Sequence, residues 1–144
     1  MDINQLTEFA GNHMLLVMAL FAIIAMLIGS EIQSRISGIR ELAPGEAIRM
    51  INHDNAVLVD MREDKDYREG HIVNALHLPA DPADHSDKLA KYRDKPVIVY
   101  CQRGQRSSGY CGKLKKQGFE SVYNLKGGLL AWQKEALPLS KNNQ

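Results

Sequence analysis

The hydrophobic pattern first separates an N-terminal segment from the rest of the chain. Residues 14–28 are apolar without interruption, and residues 9–30 contain no Asp, Glu, Lys or Arg. A helix of about twenty residues is roughly 30 Å long, which matches the hydrocarbon core of a bilayer. We therefore predict a single transmembrane anchor in residues 1–29, which contacts the membrane through residues 9–29.

Two other interpretations of this segment fit less well. A cleaved signal peptide needs a basic N-terminal region, whereas this chain begins with MDINQLTE. A buried core helix needs an apolar partner of similar length, and the rest of the sequence offers none. Arg35 and Arg40 follow the segment and no Lys or Arg precedes it, so the positive-inside rule predicts that the C-terminal part faces the cytoplasm.

The remaining sequence alternates between apolar runs and amphipathic stretches. We predict a polar linker at 30–38, a domain at 39–139 and a tail at 140–144. The predicted strands are 39–42, 56–60, 74–79, 96–101 and 120–125, and the predicted helices are 43–52, 63–70, 81–94, 105–117 and 127–136. Strands without polar alternation, each followed by a helix, indicate an α/β domain whose central parallel sheet is covered by helices on both faces.

Composition narrows the class of this domain. A chain of 144 residues suits one domain with its own core. Its net charge is +1 and it has no basic run among aromatic residues, which argues against nucleic-acid binding. The two cysteines, Cys101 and Cys111, are too few for a disulfide framework, and unpaired thiols suit the reducing cytoplasm.

Cys101 stands where a parallel sheet places its ligands. It ends the apolar run 96–101, and ligands bind beyond the carboxyl ends of parallel strands. A free thiol is mostly protonated at neutral pH, and the thiolate is the reactive form. Arg103 and Arg106 would stabilise a thiolate by Coulomb attraction, and a turn at Gly104 would aim backbone N–H groups at one point. We therefore predict that Cys101 is a nucleophile for covalent catalysis.

Cys111 has a different predicted role. It lies on the predicted helix 105–117 and shares a face with Ser107 and Leu114, the side that we expect to pack on the sheet. We interpret it as a core residue. The alternative is that it acts as a resolving thiol for Cys101.

Four stretches at family-like spacing resemble the rhodanese family, and specifically its single-domain sulfurtransferases. They are VLVDMRE, GHIVNALHLP, CQRGQRSS and GFESVYNLKGGLLAWQKEALPL. The resemblance covers residues 36–139 and departs from the family at HIVNA, where Pro-Gly usually precedes the alanine. With its N-terminal anchor, the sequence is similar to inner-membrane members of the family from bacteria.

The resemblance implies a three-layer rhodanese-like fold and a sulfurtransferase activity at the membrane surface. Cys101 would take a sulfane sulfur from a small anionic donor such as thiosulfate, or from a protein persulfide, and pass it to a thiol or cyanide. The resemblance implies no metal and no organic cofactor, and it does not identify a protein partner. The residues that would hold the persulfide and the donor are Gln102, Arg103, Gly104, Gln105 and Arg106, and Asp60 and Arg62 would support the loop.

Two alternative functions remain open at this point. The first is a non-catalytic rhodanese module that binds a membrane-associated partner protein. The second is a cysteine phosphatase or arsenate reductase, whose loops are one residue longer between Cys and Arg than the four residues between Cys101 and Arg106. His77 and His85 show no metal-ligand spacing, so we predict no metal site there.

Overall fold

A computed structural model describes residues 2–36, 38–79 and 86–141. Contacts between residues divide the chain into two compact units, residues 1–37 and residues 38–144. This division falls near the end of the stretch 30–38 that we predict as a linker. Each unit is built from a different kind of sequence pattern.

The first unit consists of two helices, α1 (Ile3–Asn12) and α2 (Met14–Ile36). The stretch Met14–Ile32 has a mean hydropathy of 2.5, and none of it is buried. Among the described residues, this is the helix that is long and apolar enough to cross a membrane, by length and composition. The predicted linker is helical as far as Ile36, so α2 continues beyond its apolar part.

The strands in the described residues of the second unit are β1 (Arg40–Leu42), β2 (Val57–Asp60), β3 (His71–Ile72), β4 (Leu76–His77), β5 (Val97–Tyr100), β6 (Val122–Leu125) and β7 (Leu139–Ser140). Five of them form a parallel sheet in the order β1-β6-β5-β2-β4. The other two, β3 and β7, form a separate antiparallel pair. The helices are α3 (Pro44–His53), α4 (Asp64–Glu69), α5 (Ser86–Leu89) with a 3-10 turn at Ala90–Tyr92, α6 (Gln105–Lys116) and α7 (Gly128–Lys134).

Most of the predicted elements are present, and the differences are local. The β3–β7 pair was not predicted, because strands of two residues carry no periodic pattern, and β7 includes Ser140 of the predicted tail. The predicted strand 74–79 is reduced to two residues. The first part of the predicted helix 81–94, up to residue 85, lies outside the described residues, and the rest is α5 with its 3-10 turn.

β5 shows why the central strands lack polar alternation. Its four residues are all 0% exposed. Val97 and Val99 belong to one buried cluster together with residues of α6, whereas Ile98 and Tyr100 belong to another together with residues of α7. Because successive side chains of a strand point to opposite faces, both faces of the sheet are covered, as predicted.

The register of the sheet brings two chain segments to one edge. Asp60, the last residue of β2, pairs with Tyr100, the last residue of β5. Arg62 and Cys101 therefore follow neighbouring parallel strands at the same end of the sheet. This is the edge at which open α/β sheets bind ligands.

Candidate active site

Cys101 follows β5 and lies at the carboxyl edge of the sheet. It is 6% exposed and lines a cavity of about 350 Å³. A side chain so placed can meet a small ligand while most of its surface is packed. The charged and amide side chains that line the same cavity are Arg62, Glu63, Asp66, Gln102, Arg103, Gln105 and Arg106.

Hydrogen bonds surround the sulfur of Cys101. The Gly104 N–H donates to Sγ at 3.1 Å, and Ser107 Oγ lies 3.4 Å from Sγ. Burial by itself would raise the pKa of the thiol. The Ser107 hydroxyl and the backbone N–H groups of Ser107, Arg103 and Gly104 outweigh burial, so the pKa of Cys101 is lowered from its ordinary value. At a given pH, a larger fraction of Cys101 is therefore in the reactive thiolate form than of an ordinary cysteine.

Two glycines let the cysteine loop, residues 101–106, approach β6 and α7 closely. Gly104 has a φ of +88°, and a Cβ there would lie 3.1 Å from the Leu125 carbonyl oxygen and 3.3 Å from the Gly127 nitrogen. Gly128 has a φ of +58°, and a Cβ there would overlap the Cys101 carbonyl oxygen. Both positions therefore require glycine, for backbone conformation and for space.

The start of α7 holds the beginning of the loop. The Leu129 N–H donates to the Cys101 carbonyl at 2.9 Å, and the Leu130 N–H donates to the Gln102 carbonyl at 3.2 Å. Free N–H groups at the first turn of a helix are available for such contacts. Sequence reasoning missed this role, and the signal in the sequence is the Gly127–Gly128 pair.

Asn124 on β6 is a second residue that sequence reasoning missed. It is fully buried, its Nδ2 donates to the Gly104 carbonyl at 2.9 Å, and its Oδ1 accepts the Ser107 hydroxyl at 2.6 Å. Asn124 thus connects two of the residues that contact the sulfur of Cys101, Gly104 and Ser107. The available signal was a polar residue inside an otherwise apolar strand.

Asp60 and Arg62 form a buried ion pair that reaches the loop. They are 0% and 7% exposed, and Arg62 Nη2 lies 2.8 Å from Asp60 Oδ2. Arg62 Nε donates to both carboxylate oxygens at 3.1 Å, and Nη2 also donates to the Gly70 carbonyl at 2.6 Å. Arg62 Nη1 donates to Gln102 Oε1 at 3.4 Å, which connects the pair to the cysteine loop.

Tyr100 completes the bonding of the buried carboxylate. Its hydroxyl donates to Asp60 Oδ2 at 2.6 Å. Burial, together with the charge of Asp60, raises the pKa of Tyr100, so its proton stays in place. Burial would lower the pKa of Arg62, but the hydrogen bond and the charge of Asp60 outweigh it and raise that pKa. The buried Asp60 carboxylate thus accepts hydrogen bonds from both Arg62 and Tyr100, as a buried charge requires. Support of the loop by Asp60 and Arg62 stays a prediction.

The other predicted loop residues line the cavity with exposed side chains. Gln102, Arg103, Gln105 and Arg106 are all exposed. The interactions that lower the pKa of Cys101 are hydrogen bonds, and among them the Arg103 contribution comes from its backbone N–H. The Coulombic effect of the two guanidinium groups therefore stays a prediction.

Cys111 lies in the core. It is 0% exposed, and its Sγ donates to the Tyr123 carbonyl at 3.4 Å. Burial raises the pKa of Cys111 to about 12, so the thiol is protonated at neutral pH. The interpretation of Cys111 as a core residue is confirmed.

His71 and His77 pack against one aromatic ring. Their rings stack on Tyr67 with centroid distances of 3.8 and 4.1 Å, and His77 Nε2 lies 2.9 Å from the Arg62 carbonyl oxygen. Both therefore contribute to packing beside the buried ion pair. His85 lies outside the described residues.

Several known proteins resemble this chain in sequence. The Rhodanese-like domain family matches residues 43–135. The uncharacterized protein YibN of Escherichia coli (strain K12) is 36% identical over 138 residues, which cover 94% of this chain and 96% of YibN. Thiosulfate sulfurtransferase GlpE of Coxiella burnetii (strain RSA 493 / Nine Mile phase I) is 38% identical over 95 residues, which cover 65% of this chain and 87% of GlpE.

A solved structure shares the fold. The crystal structure of thiosulfate sulfurtransferase from Pseudomonas aeruginosa matches with a TM-score of 0.69 at 23% identity, over 80% of this chain and 22% of that one. The residues matched by the family include β2, the cysteine loop and the start of α7. The chain therefore belongs to the rhodanese-like domain family.

Proposed function

We propose that the chain is a sulfurtransferase in which Cys101 carries a sulfane sulfur as a persulfide. The observation that carries the proposal is the surroundings of Sγ, which lines a cavity, accepts the Gly104 N–H at 3.1 Å and has a lowered pKa. A stabilised thiolate at a cavity is suited to nucleophilic attack. The similarity to GlpE, which is named a thiosulfate sulfurtransferase, supports the same activity.

The reaction consists of two displacements at sulfur. In the first, the Cys101 thiolate attacks the outer sulfur of thiosulfate. A new S–S bond forms, the bond to the sulfite group breaks, and sulfite leaves with the bonding electron pair. In the second, a thiolate or cyanide attacks the outer sulfur of the persulfide, and the Cys101 thiolate leaves. Charge is conserved in both steps and no proton moves, so no general base is needed.

After the first displacement the negative charge lies on the outer sulfur. The backbone N–H groups of residues 102–106 and the first turn of α6 would hold this charge, as helix N-termini hold other anions. Arg103 and Arg106 line the same cavity and would attract an anionic donor. These are the roles that the resemblance implies for these residues, and they stay predictions.

We also propose that Met14–Ile32 anchors the chain in a bacterial inner membrane. Support comes from the mean hydropathy of 2.5 over this stretch, none of which is buried. Arg35 and Arg40 follow the stretch, which favours a domain that faces the cytoplasm. Sulfur transfer would then take place at the membrane surface.

A turnover assay tests the activity. The full chain in detergent receives thiosulfate and cyanide, and thiocyanate is measured. We expect turnover that is lost in Cys101→Ser and kept in the matched control Cys111→Ser. After thiosulfate alone, mass spectrometry should find an adduct of about 32 Da, one sulfur atom, on Cys101.

Two results would favour the other functions. If the chain shows no turnover and forms no adduct with thiosulfate or with an organic persulfide, a non-catalytic module that binds a membrane-associated partner protein is favoured. Hydrolysis of an aryl phosphate without sulfur transfer would favour a phosphatase.

A further inference from the structure

The side-chain amide of Asn124 joins two parts of the cysteine loop from a fully buried position on β6. Its Nδ2 donates to the Gly104 carbonyl at 2.9 Å, and its Oδ1 accepts the Ser107 hydroxyl at 2.6 Å. The same hydroxyl oxygen lies 3.4 Å from Cys101 Sγ. Burial of an amide is unfavourable unless its hydrogen bonds are made, so both contacts matter to this side chain.

The Ser107 hydroxyl has one hydrogen and two neighbours that can accept it. When Cys101 is protonated, Sγ–H donates to the hydroxyl oxygen and the hydroxyl donates to Asn124, so both bonds are made. When Cys101 is a thiolate, both neighbours are acceptors. The hydroxyl can then donate its hydrogen either to the sulfur or to the buried Asn124 oxygen. The acceptor that does not receive it lacks this hydrogen bond.

Rotation of the Asn124 amide does not remove this conflict. It would turn Nδ2 toward Ser107, but it would place Oδ1 against the Gly104 carbonyl oxygen, and two acceptors would then be in contact. The persulfide does not have the conflict. There Cys101 Sγ is bonded to a second sulfur and the charge lies on the outer atom, so the hydroxyl can donate to Asn124.

We propose that Asn124 is a positioning residue that competes with Cys101 for the Ser107 hydrogen, and that this competition favours the persulfide over the resting thiolate. Asn124 touches none of the reacting atoms and acts through Ser107. The sulfur-transfer steps are unchanged, because the hydroxyl reorients without losing its proton. The preference for the persulfide rests on the proposed function, whereas the competition itself concerns ionisation of the thiol.

A double-mutant cycle tests the competition. The variants are Asn124→Leu, Ser107→Ala and the double variant, each as the full chain in detergent. The rate at which iodoacetamide alkylates Cys101 is measured against pH by mass spectrometry. The charged groups around the cavity are the same in the wild-type chain and in the three variants; they are Arg62, Glu63, Asp66, Arg103 and Arg106.

The expected result is a coupling with a defined sign. Where Ser107 is present, Asn124→Leu frees the hydroxyl to donate to the thiolate, which favours ionisation of Cys101. The change in the Cys101 pKa caused by Asn124→Leu should therefore be more negative in the wild-type background than in the Ser107→Ala background. We expect a difference of about one pKa unit, roughly a ten-fold change in the ionisation constant. Equal effects of Asn124→Leu in the two backgrounds would overturn the proposal.

A second measurement keeps Asn124 in place and so does not depend on the folding of a Leu variant. The NMR signal of the side-chain carbonyl of isotope-labelled Asn124 is followed while Cys101 titrates. It should shift in the wild-type chain and lose most of that shift in Ser107→Ala. Equal shifts in both would overturn the proposal, since they would come from the sulfur charge alone. Neither measurement needs turnover, so a chain that shows the coupling but accepts no sulfur refutes the proposed function alone.

Discussion

A single methyl group at position 128 should displace the cysteine loop. A Cβ on Gly128 would overlap the carbonyl oxygen of Cys101 and lie 2.8 Å from the carbonyl carbon of Gln102. These are backbone atoms, which cannot rotate away as the end of a side chain can. In Gly128→Ala, either the loop or the first turn of α7 must move.

The size of the effect follows from the conformation and the contacts that are lost. Alanine in the left-handed conformation costs about 1–2 kcal/mol. The movement also strains the hydrogen bonds from the Leu129 and Leu130 N–H groups, each of which contributes about 0.5–1.5 kcal/mol. The free energy of unfolding should fall by about 2–5 kcal/mol, against a typical total of about 5–15 kcal/mol. The domain should stay folded while Cys101 loses its alignment with the Gly104 N–H.

Urea unfolding and thiocyanate production together measure this effect. Trp132, the single tryptophan, is 3% exposed on α7 and reports unfolding by its fluorescence. Gly128→Ala should lower the urea midpoint and reduce turnover at least about ten-fold, since each 1.4 kcal/mol of lost transition-state stabilisation is a factor of ten. The matched control is Gly109→Ala in α6, where a Cβ meets nothing within 4 Å, and it should add up to about 1 kcal/mol of stability without changing turnover. A wild-type midpoint and turnover in Gly128→Ala would refute the reasoning.

Four further predictions concern charge and orientation. Labelling of wild-type Cys101 by iodoacetamide should reach half its maximal rate at a lower pH than labelling of a cysteine peptide, because hydrogen bonds lower the Cys101 pKa; an equal or higher pH would contradict this. Arg103→Ala should move that profile to higher pH because a nearby cation is removed, and an unchanged profile would exclude the Coulombic role. Arg62→Leu should reduce the free energy of unfolding by about 3–5 kcal/mol because it leaves the buried Asp60 carboxylate without its cation, and a wild-type urea midpoint would argue against this. A phosphatase reporter fused after residue 144 should be inactive in the cytoplasm, whereas periplasmic activity would reverse the predicted orientation.

The sheet and the place of the cysteine could be predicted because their signals are local. The run 96–101 is apolar at every position before the cysteine, as expected for a strand covered on both faces. Once that strand is assigned as parallel, Cys101 must lie at its carboxyl edge. The glycine at 104 likewise marks the turn into α6, which begins at Gln105.

The rest of the site depends on contacts between distant parts of the chain. The side chain of Asn124 donates a hydrogen bond to the Gly104 carbonyl, 20 residues away in the sequence, and no local pattern predicts that contact. The same applies to the approach of Gly128 to Cys101, since a Gly-Gly pair before a helix is also typical of an ordinary tight turn. The β3–β7 pair was missed because its partners are two residues long and far apart in sequence.

The central claim is that one sulfur atom passes through Cys101, and labelled thiosulfate tests it most directly. Thiosulfate with radioactive sulfur in its outer position is added to the full chain, and the peptides are separated without reductant. The label should be found on the peptide that contains Cys101, and it should move to thiocyanate when cyanide is added. Thiocyanate that forms without label ever residing on Cys101, or label that resides on Cys111, would contradict the account.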